Sequence, residues 1–104
     1  MKRYAVEALT LLSALIKARR VEGQMTEKEL AASAGISVEI VERIEHADPT
    51  CPIGAYFSAA ETLKIHLFED DQTKLTWRLF NVQERLALLP KVENQIRGPV
   101  KDDF

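Results

Sequence analysis

The 104-residue sequence predicts an all-α fold. Along several stretches apolar residues recur every three or four positions, which is the spacing of one helix face. Helix-start residues, glycines and prolines separate these stretches at short intervals. No stretch shows the alternating, β-branched pattern of a strand. The length suits one domain with a modest core and is too short for two such domains.

The first predicted helix runs from about Tyr4 to about Val21, and Gly23 ends it. One face of it carries the apolar residues Ala5, Leu9, Leu12 and Ile16, with Arg20 at the same helical spacing, and Ala8 and Leu15 widen this stripe. The basic, then apolar, start is similar to a secretory signal. However, Glu7 interrupts the apolar run and no A-x-A cleavage site follows.

Two short helices follow. Thr26 and Glu29 have the spacing of a capping box, so the second helix, TEKELAASA, begins there. Gly35 stops it in a left-handed conformation that glycine adopts easily. Ser37 then caps a third helix that ends near His46.

A fourth helix, IGAYFSAAETLK, begins after the loop ADPTCP, with Pro52 suited to its first turn. We expect it to bury either Tyr56 or Phe57. The remaining core residues expected from this part of the chain are Ala60 and Leu63, followed by Ile65, Leu67 and Phe68. The polar residues EDDQ then break the pattern, so we place a domain boundary between residues 68 and 69.

Residues 69–104 contain an apolar seam and a polar tail. The seam consists of Leu75, Leu79, Val82, Leu86 and Leu89, with Trp77, Phe80 and Leu88 beside it. Such a seam packs either on its own domain or on a second subunit. We predict a homodimer interface formed by Leu75, Leu79, Val82 and Leu86. The tail, KVENQIRGPVKDDF, is polar enough to be flexible.

One stretch resembles a known family. The segment TEKELAASAGISVEIVERIEHADP carries a T-x-x-E-L-A opening, an A-G turn, a serine helix start and a closing R-I-E. With these motifs, residues 9–68 resemble the five-helix domain of phage-repressor type, Xre/Cro-like, helix-turn-helix regulators. The resemblance implies a core of Leu30, Ala31, Ala34, Ile36, Val41 and Ile44. It also implies a structural ion pair between Arg20 and Glu45.

The resemblance further implies an interface with operator DNA. The third helix would be the recognition helix, with Arg43 suited to guanine, Val38 to a thymine methyl and Glu39 to cytosine. The full set of DNA-binding positions carried over is Thr26, Glu27, Lys28, Ser37, Val38, Glu39, Glu42, Arg43 and His46.

The charge of this region leaves two functions open. The net charge is -2, and residues 21–50 hold two basic and seven acidic side chains. Glu27 stands where the family usually has glutamine, and the loop after the third helix carries Asp48 but no lysine or arginine. DNA binding would therefore depend on dimerisation or a partner. Alternatively, Glu39 and Arg43 pair on a solvated face, and the domain serves only as a protein-interaction module.

The C-terminal region carries a second resemblance. RLALLPK followed by a terminal DDF is similar to HipB-like regulators encoded beside HipA-like kinase toxins. That resemblance implies an antitoxin that dimerises, represses its own operon and holds the toxin inactive. Asp102, Asp103 and Phe104 would then contact the toxin, whereas the alternative is a disordered solubilising end.

Other functional classes find little support in the sequence. The single Cys51 excludes an internal disulfide, and His46 and His66 lack metal-ligand spacing. The cluster Glu69–Asp71 lacks the glycine and spaced ligands of a calcium loop. No nucleophile–base pair or phosphate-binding loop is present, so we expect neither an enzyme nor a cofactor. Nor is any stretch long and apolar enough for a membrane span, and we expect a cytoplasmic protein.

Overall fold

The computed structural model describes residues 1–91, which contain five α-helices and no strand. This confirms the all-α class for those residues. Two compact units divide the chain, Met1–Phe68 and a second beginning at Glu69. Asp102, Asp103 and Phe104 lie outside the described residues. The helices are α1 (Arg3–Glu22), α2 (Glu27–Ala34), α3 (Val38–Glu45), α4 (Ile53–Thr62) and α5 (Gln72–Leu88).

The first unit has four helices rather than the predicted five. After α4, Lys64 adopts a left-handed conformation (φ 61°), and the amide of Ile65 donates to the carbonyl of Ala60 at 2.8 Å. This arrangement closes the end of α4 and turns the chain out of the helix. Leu67 and Phe68 were expected to close the core, but they are 38% and 69% exposed. The apolar run after α4 is therefore not a buried helix.

The core of the first unit lies between α1, α2, α3 and α4. Four aliphatic side chains are fully buried, Ile16, Leu30, Val41 and Ile44. The predicted core residue Ala31 is also buried, whereas Ala34 and Ile36 are half-buried against the cluster. Tyr56, not Phe57, is the buried aromatic of α4.

The connections around α2 and α3 match the predicted local signals. The Thr26 hydroxyl accepts from the Glu29 amide at 3.0 Å, and the Glu29 carboxylate accepts from the Thr26 amide at 2.8 Å. Gly35 is left-handed (φ 73°), and Ser37 Oγ accepts from the Ile40 amide at 3.1 Å. These contacts confirm the capping box, the glycine turn and the serine cap. Only residues 35–37 separate the two helices, which pack against each other.

The second unit contains α5. The Asp71 side chain accepts from the Lys74 amide at 2.8 Å and so caps the helix. None of the residues of α5 is buried. At about 100° per residue, Trp77 lies about 160° from Leu75 and Leu79 around the helix axis. Trp77 and Phe80 therefore form a second apolar face opposite the seam, with ring centroids 5.9 Å apart. The expectation that they lie beside the seam was wrong.

Residues 1–91 include no helix with both the length and the apolar character that crossing a bilayer requires.

Candidate nucleic-acid interface

The surface formed by α3 and the start of α2 carries most of the residues assigned to DNA by resemblance. Thr26, Lys28, Ser37, Glu39, Glu42 and His46 are exposed there. Val38 is different, because it is half-buried against the hydrophobic core. It precedes the buried Val41 by three positions and so shares its inward face. Only part of the Val38 side chain is therefore free to contact a DNA groove.

Glu27 also occupies a different environment from the one expected. Its side chain is half-buried, and its charge contributes to raising the pKa of Arg20. The carboxylate thus lies in the field of the Arg20 guanidinium. This placement partly neutralises a charge that would otherwise repel a phosphate.

Arg20 and Glu45 form an ion pair that fixes the end of α3 to α1. Arg20 Nε and Nη2 donate to the two carboxylate oxygens of Glu45 at 2.6 and 3.0 Å. The third nitrogen, Nη1, donates to the carbonyl of Met25 at 2.9 Å. The hydrogen bond that Arg20 donates to Glu45 raises the pKa of Arg20, against the opposing effect of burial. The pair joins α1, α3 and the connection before α2 through one guanidinium.

Arg43, the predicted base-reading residue, is bonded within its own chain. Its Nε donates to Asp48 Oδ2 at 2.8 Å, and its Nη2 donates to Thr50 Oγ1 at 3.1 Å. The Arg43 side chain is still 42% exposed. Among residues 1–91 its ion-pair partner is Asp48, so the pairing with Glu39 that the alternative, protein-interaction function implied is not formed.

Asp48 is held in place by its backbone and by its side chain. Its Oδ1 accepts from the Thr50 amide at 2.8 Å and from the Thr50 hydroxyl at 2.6 Å. Its carbonyl accepts from the Tyr56 hydroxyl at 2.8 Å, and its amide donates to the Arg43 carbonyl at 3.1 Å. The pKa of Asp48 falls from 3.8 to about 2, chiefly through the Thr50 hydroxyl bond and then the Arg43 bond. Asp48 is therefore ionised at neutral pH.

A buried layer lies behind this loop. Burial raises the pKa of the Cys51 thiol and of the Tyr56 phenol, so both stay protonated at neutral pH. The Ser13 hydroxyl of α1 is buried near the Tyr56 phenol, and within residues 1–91 it has no partner of good hydrogen-bond geometry. These groups support the loop from inside and do not reach the surface.

The remaining polar groups bear on the electrostatics of the surface. His46 Nδ1 lies 2.7 Å from the carbonyl oxygen of Glu42. Because a carbonyl oxygen only accepts, Nδ1 is the donor in this bond, and Nε2 is left for an outside partner. In the part of the chain that the structure describes, no three His, Cys, Asp or Glu side chains are grouped as a metal site.

Asp48 and Thr50 were not predicted from the sequence as partners of Arg43. The D-x-T spacing of a side-chain turn could have indicated the bond between Asp48 and Thr50.

No family model matches the sequence, and no curated protein and no solved structure matches it either. The resemblance to helix-turn-helix regulators therefore rests on the motif residues of α2 and α3 alone. Any assignment of function depends on the geometry described above.

Proposed function

We propose that the chain is a sequence-specific DNA-binding regulator in which α2, the Gly35 turn and α3 form a helix-turn-helix. One observation carries this proposal: α3 is a surface helix fixed at both ends. Ser37 caps its start, and the buried pair between Arg20 and Glu45 holds its end. Between these anchors α3 presents exposed polar side chains, as a helix that reads base edges must.

Because this surface is acidic, we expect DNA binding to depend on a second copy of the chain or on another partner. Phosphate neutralisation supplies most non-specific affinity, and Glu39 and Glu42 oppose it on α3. A two-fold dimer would join two weak sites, with recognition helices about 34 Å apart. The exposed seam of Leu75, Leu79, Val82 and Leu86 supplies an apolar surface for that dimer.

Binding to DNA from the region upstream of the gene tests the proposal. Fluorescence anisotropy at low salt, with an unrelated duplex as competitor, should show preferential binding. Arg43→Ala should lower discrimination at one base pair of each half-site by roughly 5- to 100-fold. Lys28→Ala is the comparison, because loss of a phosphate contact weakens binding to all sequences about equally. A wild-type protein that binds neither duplex would contradict the proposal.

A protein-interaction module is the second candidate, and a specific observation favours it. Glu39 and Glu42 are the exposed carboxylates of α3, and neither pairs with a lysine or arginine of that helix, because Arg43 bonds to Asp48. A basic partner protein would complement this surface. This function predicts salt-dependent binding of a basic protein and no binding of DNA.

The antitoxin role is a narrower proposal within the first function. It is supported by the similarity of RLALLPK and the terminal DDF to HipB-like regulators. Deletion of residues 98–104 tests it, because loss of Asp102, Asp103 and Phe104 should weaken toxin binding and leave DNA binding unchanged. Equal protection from a co-expressed HipA-like kinase, with and without the deletion, would contradict it.

A further inference from the structure

We propose that Asp48 and Thr50 are positioning residues that orient Arg43 for reading guanine. This inference rests on the proposed DNA-binding function, since it assigns those two residues a role in specificity. On this proposal, the acidic loop after α3 helps recognition of DNA instead of opposing it.

The bonds of Arg43 engage one edge of its guanidinium and leave another edge available. Nε and Nη2 share the side edge, and they bond to Asp48 and Thr50. A guanidinium has five N–H donors in a rigid plane, so three remain on Nη1 and Nη2. Within residues 1–91, Arg43 Nη1 donates no hydrogen bond. The end edge formed by Nη1 and Nη2 therefore presents two parallel N–H groups, which can donate to guanine O6 and N7.

Several further hydrogen bonds hold Asp48 and Thr50, the two residues that bond to the side edge. The Thr50 hydroxyl donates to Asp48 Oδ1 and accepts from Arg43 Nη2, so the three side chains form a closed set of bonds. The backbone of Asp48 is fixed by the Arg43 carbonyl and by Tyr56 from the core. The plane of the guanidinium is therefore set by the fold before any DNA arrives. A side chain ordered in advance loses less conformational entropy on binding.

The charge of Asp48 fits this role. Its carboxylate faces the guanidinium at 2.8 Å, so the field that it projects toward a phosphate is largely cancelled. Arg43 keeps its own charge, and the hydrogen bond that it donates to Asp48 raises the pKa of Arg43 further. The alternative is that Asp48 competes with DNA for Arg43. That alternative makes the opposite prediction, namely tighter binding when the carboxylate is removed.

Selection from a duplex library with about 20 random base pairs, two helical turns, tests the inference. The variants are Arg43→Ala, Asp48→Asn and Thr50→Val, each checked by circular dichroism and urea unfolding to be fully folded under the conditions of the selection. We expect Arg43→Ala to lose preference for one guanine. Asp48→Asn and Thr50→Val should lower the preference for that same guanine about fivefold or more and leave the other positions unchanged.

Two control variants separate positioning from general effects. Thr50→Ser retains the hydroxyl and should keep the wild-type preference. Asp70→Asn removes an exposed carboxylate that pairs with Lys74 of α5 at 3.2 Å, and it should also leave the preference unchanged. An unchanged motif in Asp48→Asn and Thr50→Val would overturn the inference. Tighter binding by Asp48→Asn with the motif preserved would do so as well, because it identifies Asp48 as a competitor.

A measurement without DNA distinguishes failure of this inference from failure of the proposed function. In wild type, the Nε–Hε group of Arg43 should give a resolved NMR signal that exchanges slowly with water, and Asp48→Asn should abolish it. Absence of that signal in wild type would overturn the positioning role directly. If the signal is present but wild type enriches no DNA motif, the proposed function is wrong, and the reading role falls with it.

Discussion

At the scale of single residues, two ion pairs of α1 differ in what surrounds them. Arg20 and Glu45 are 13% and 2% exposed, whereas Arg3 and Glu7 are 91% and 68% exposed. Glu45→Ala leaves a guanidinium uncompensated in a mostly buried position, so it should lower the free energy of unfolding by about 3 kcal/mol. Glu7→Ala should lower it by less than about 1 kcal/mol. Urea unfolding measures both, and equal losses would contradict the structural role of the buried pair.

The bond between Arg43 and Asp48 should depend on pH in a defined direction. The folded-state pKa of Asp48 is about 2, below its ordinary value of 3.8. A depressed carboxyl pKa adds stability that is fully present above the ordinary value and is lost as pH falls toward about 2. We therefore expect the Asp48 carboxyl carbon to titrate near pH 2 by NMR. In Thr50→Val its midpoint should rise, because the largest cause of the shift is removed. A midpoint near 4 in wild type would contradict the network.

Sequence reasoning reached some of these residues and missed others for a physical reason. Thr26, Glu29 and Gly35 act over three or four residues, so their spacing predicts their contacts. The pair of Arg20 and Glu45 spans 25 positions, and only the resemblance to a family implied it. Arg43 has carboxylates available before and after it, and the choice depends on the backbone of the loop. Ala47, in a left-handed conformation (φ 57°), brings Asp48 rather than Glu39 to Arg43.

At the scale of secondary-structure elements, the turn between α2 and α3 depends on one glycine. Gly35 has φ 73°, and an added Cβ would have no atom within 4 Å. Gly35→Ala should therefore lower the free energy of unfolding by about 1 kcal/mol through backbone conformation alone, without a steric clash. Gly54, in α4, also has open space around it but an ordinary helical φ. Gly54→Ala should raise the free energy of unfolding by up to about 1 kcal/mol. Thermal unfolding of the two variants should therefore shift in opposite directions, and shifts of the same sign would contradict this account.

Helix ends and helix faces were predictable from the sequence to different degrees. The capping residues placed the starts of α2 and α3 correctly because their hydrogen bonds are local. The region after α4 was placed in the core because Leu67 and Phe68 continue an apolar pattern. The left-handed conformation of Lys64 turns the chain out of the helix before Leu67 and Phe68, and nothing in the sequence indicates a left-handed lysine. In α5, the seam residues Leu75, Leu79, Val82 and Leu86 share one helix face as predicted, whereas Leu89 follows the end of the helix. The angular position of Trp77 required the helix geometry.

At the scale of the whole molecule, the proposed dimer depends on the seam of α5. Leu79 and Leu86 lie seven residues apart on the seam and are 55% and 62% exposed. Replacing both by glutamate would place two charges in a proposed apolar interface, where their desolvation opposes association. We expect the double variant to be monomeric by sedimentation at concentrations where wild type is a dimer. Its affinity for a two-half-site operator should fall about 100-fold or more, since linkage of two weak sites supplies that advantage.

The same helix provides a matched control for this prediction. Thr73 and Asn81 are also exposed, but they lie about 120° and 160° around the helix from Leu79. Thr73→Glu with Asn81→Glu adds the same charge to the same helix, on the face away from the seam. This variant should remain dimeric and should keep most of its operator affinity. If both double variants dissociate, the effect comes from net charge on α5. If neither dissociates, the seam is not the interface between subunits. A monomeric seam variant with full operator affinity would show that reading DNA does not require the dimer, and that the acidic surface of α3 binds DNA on its own.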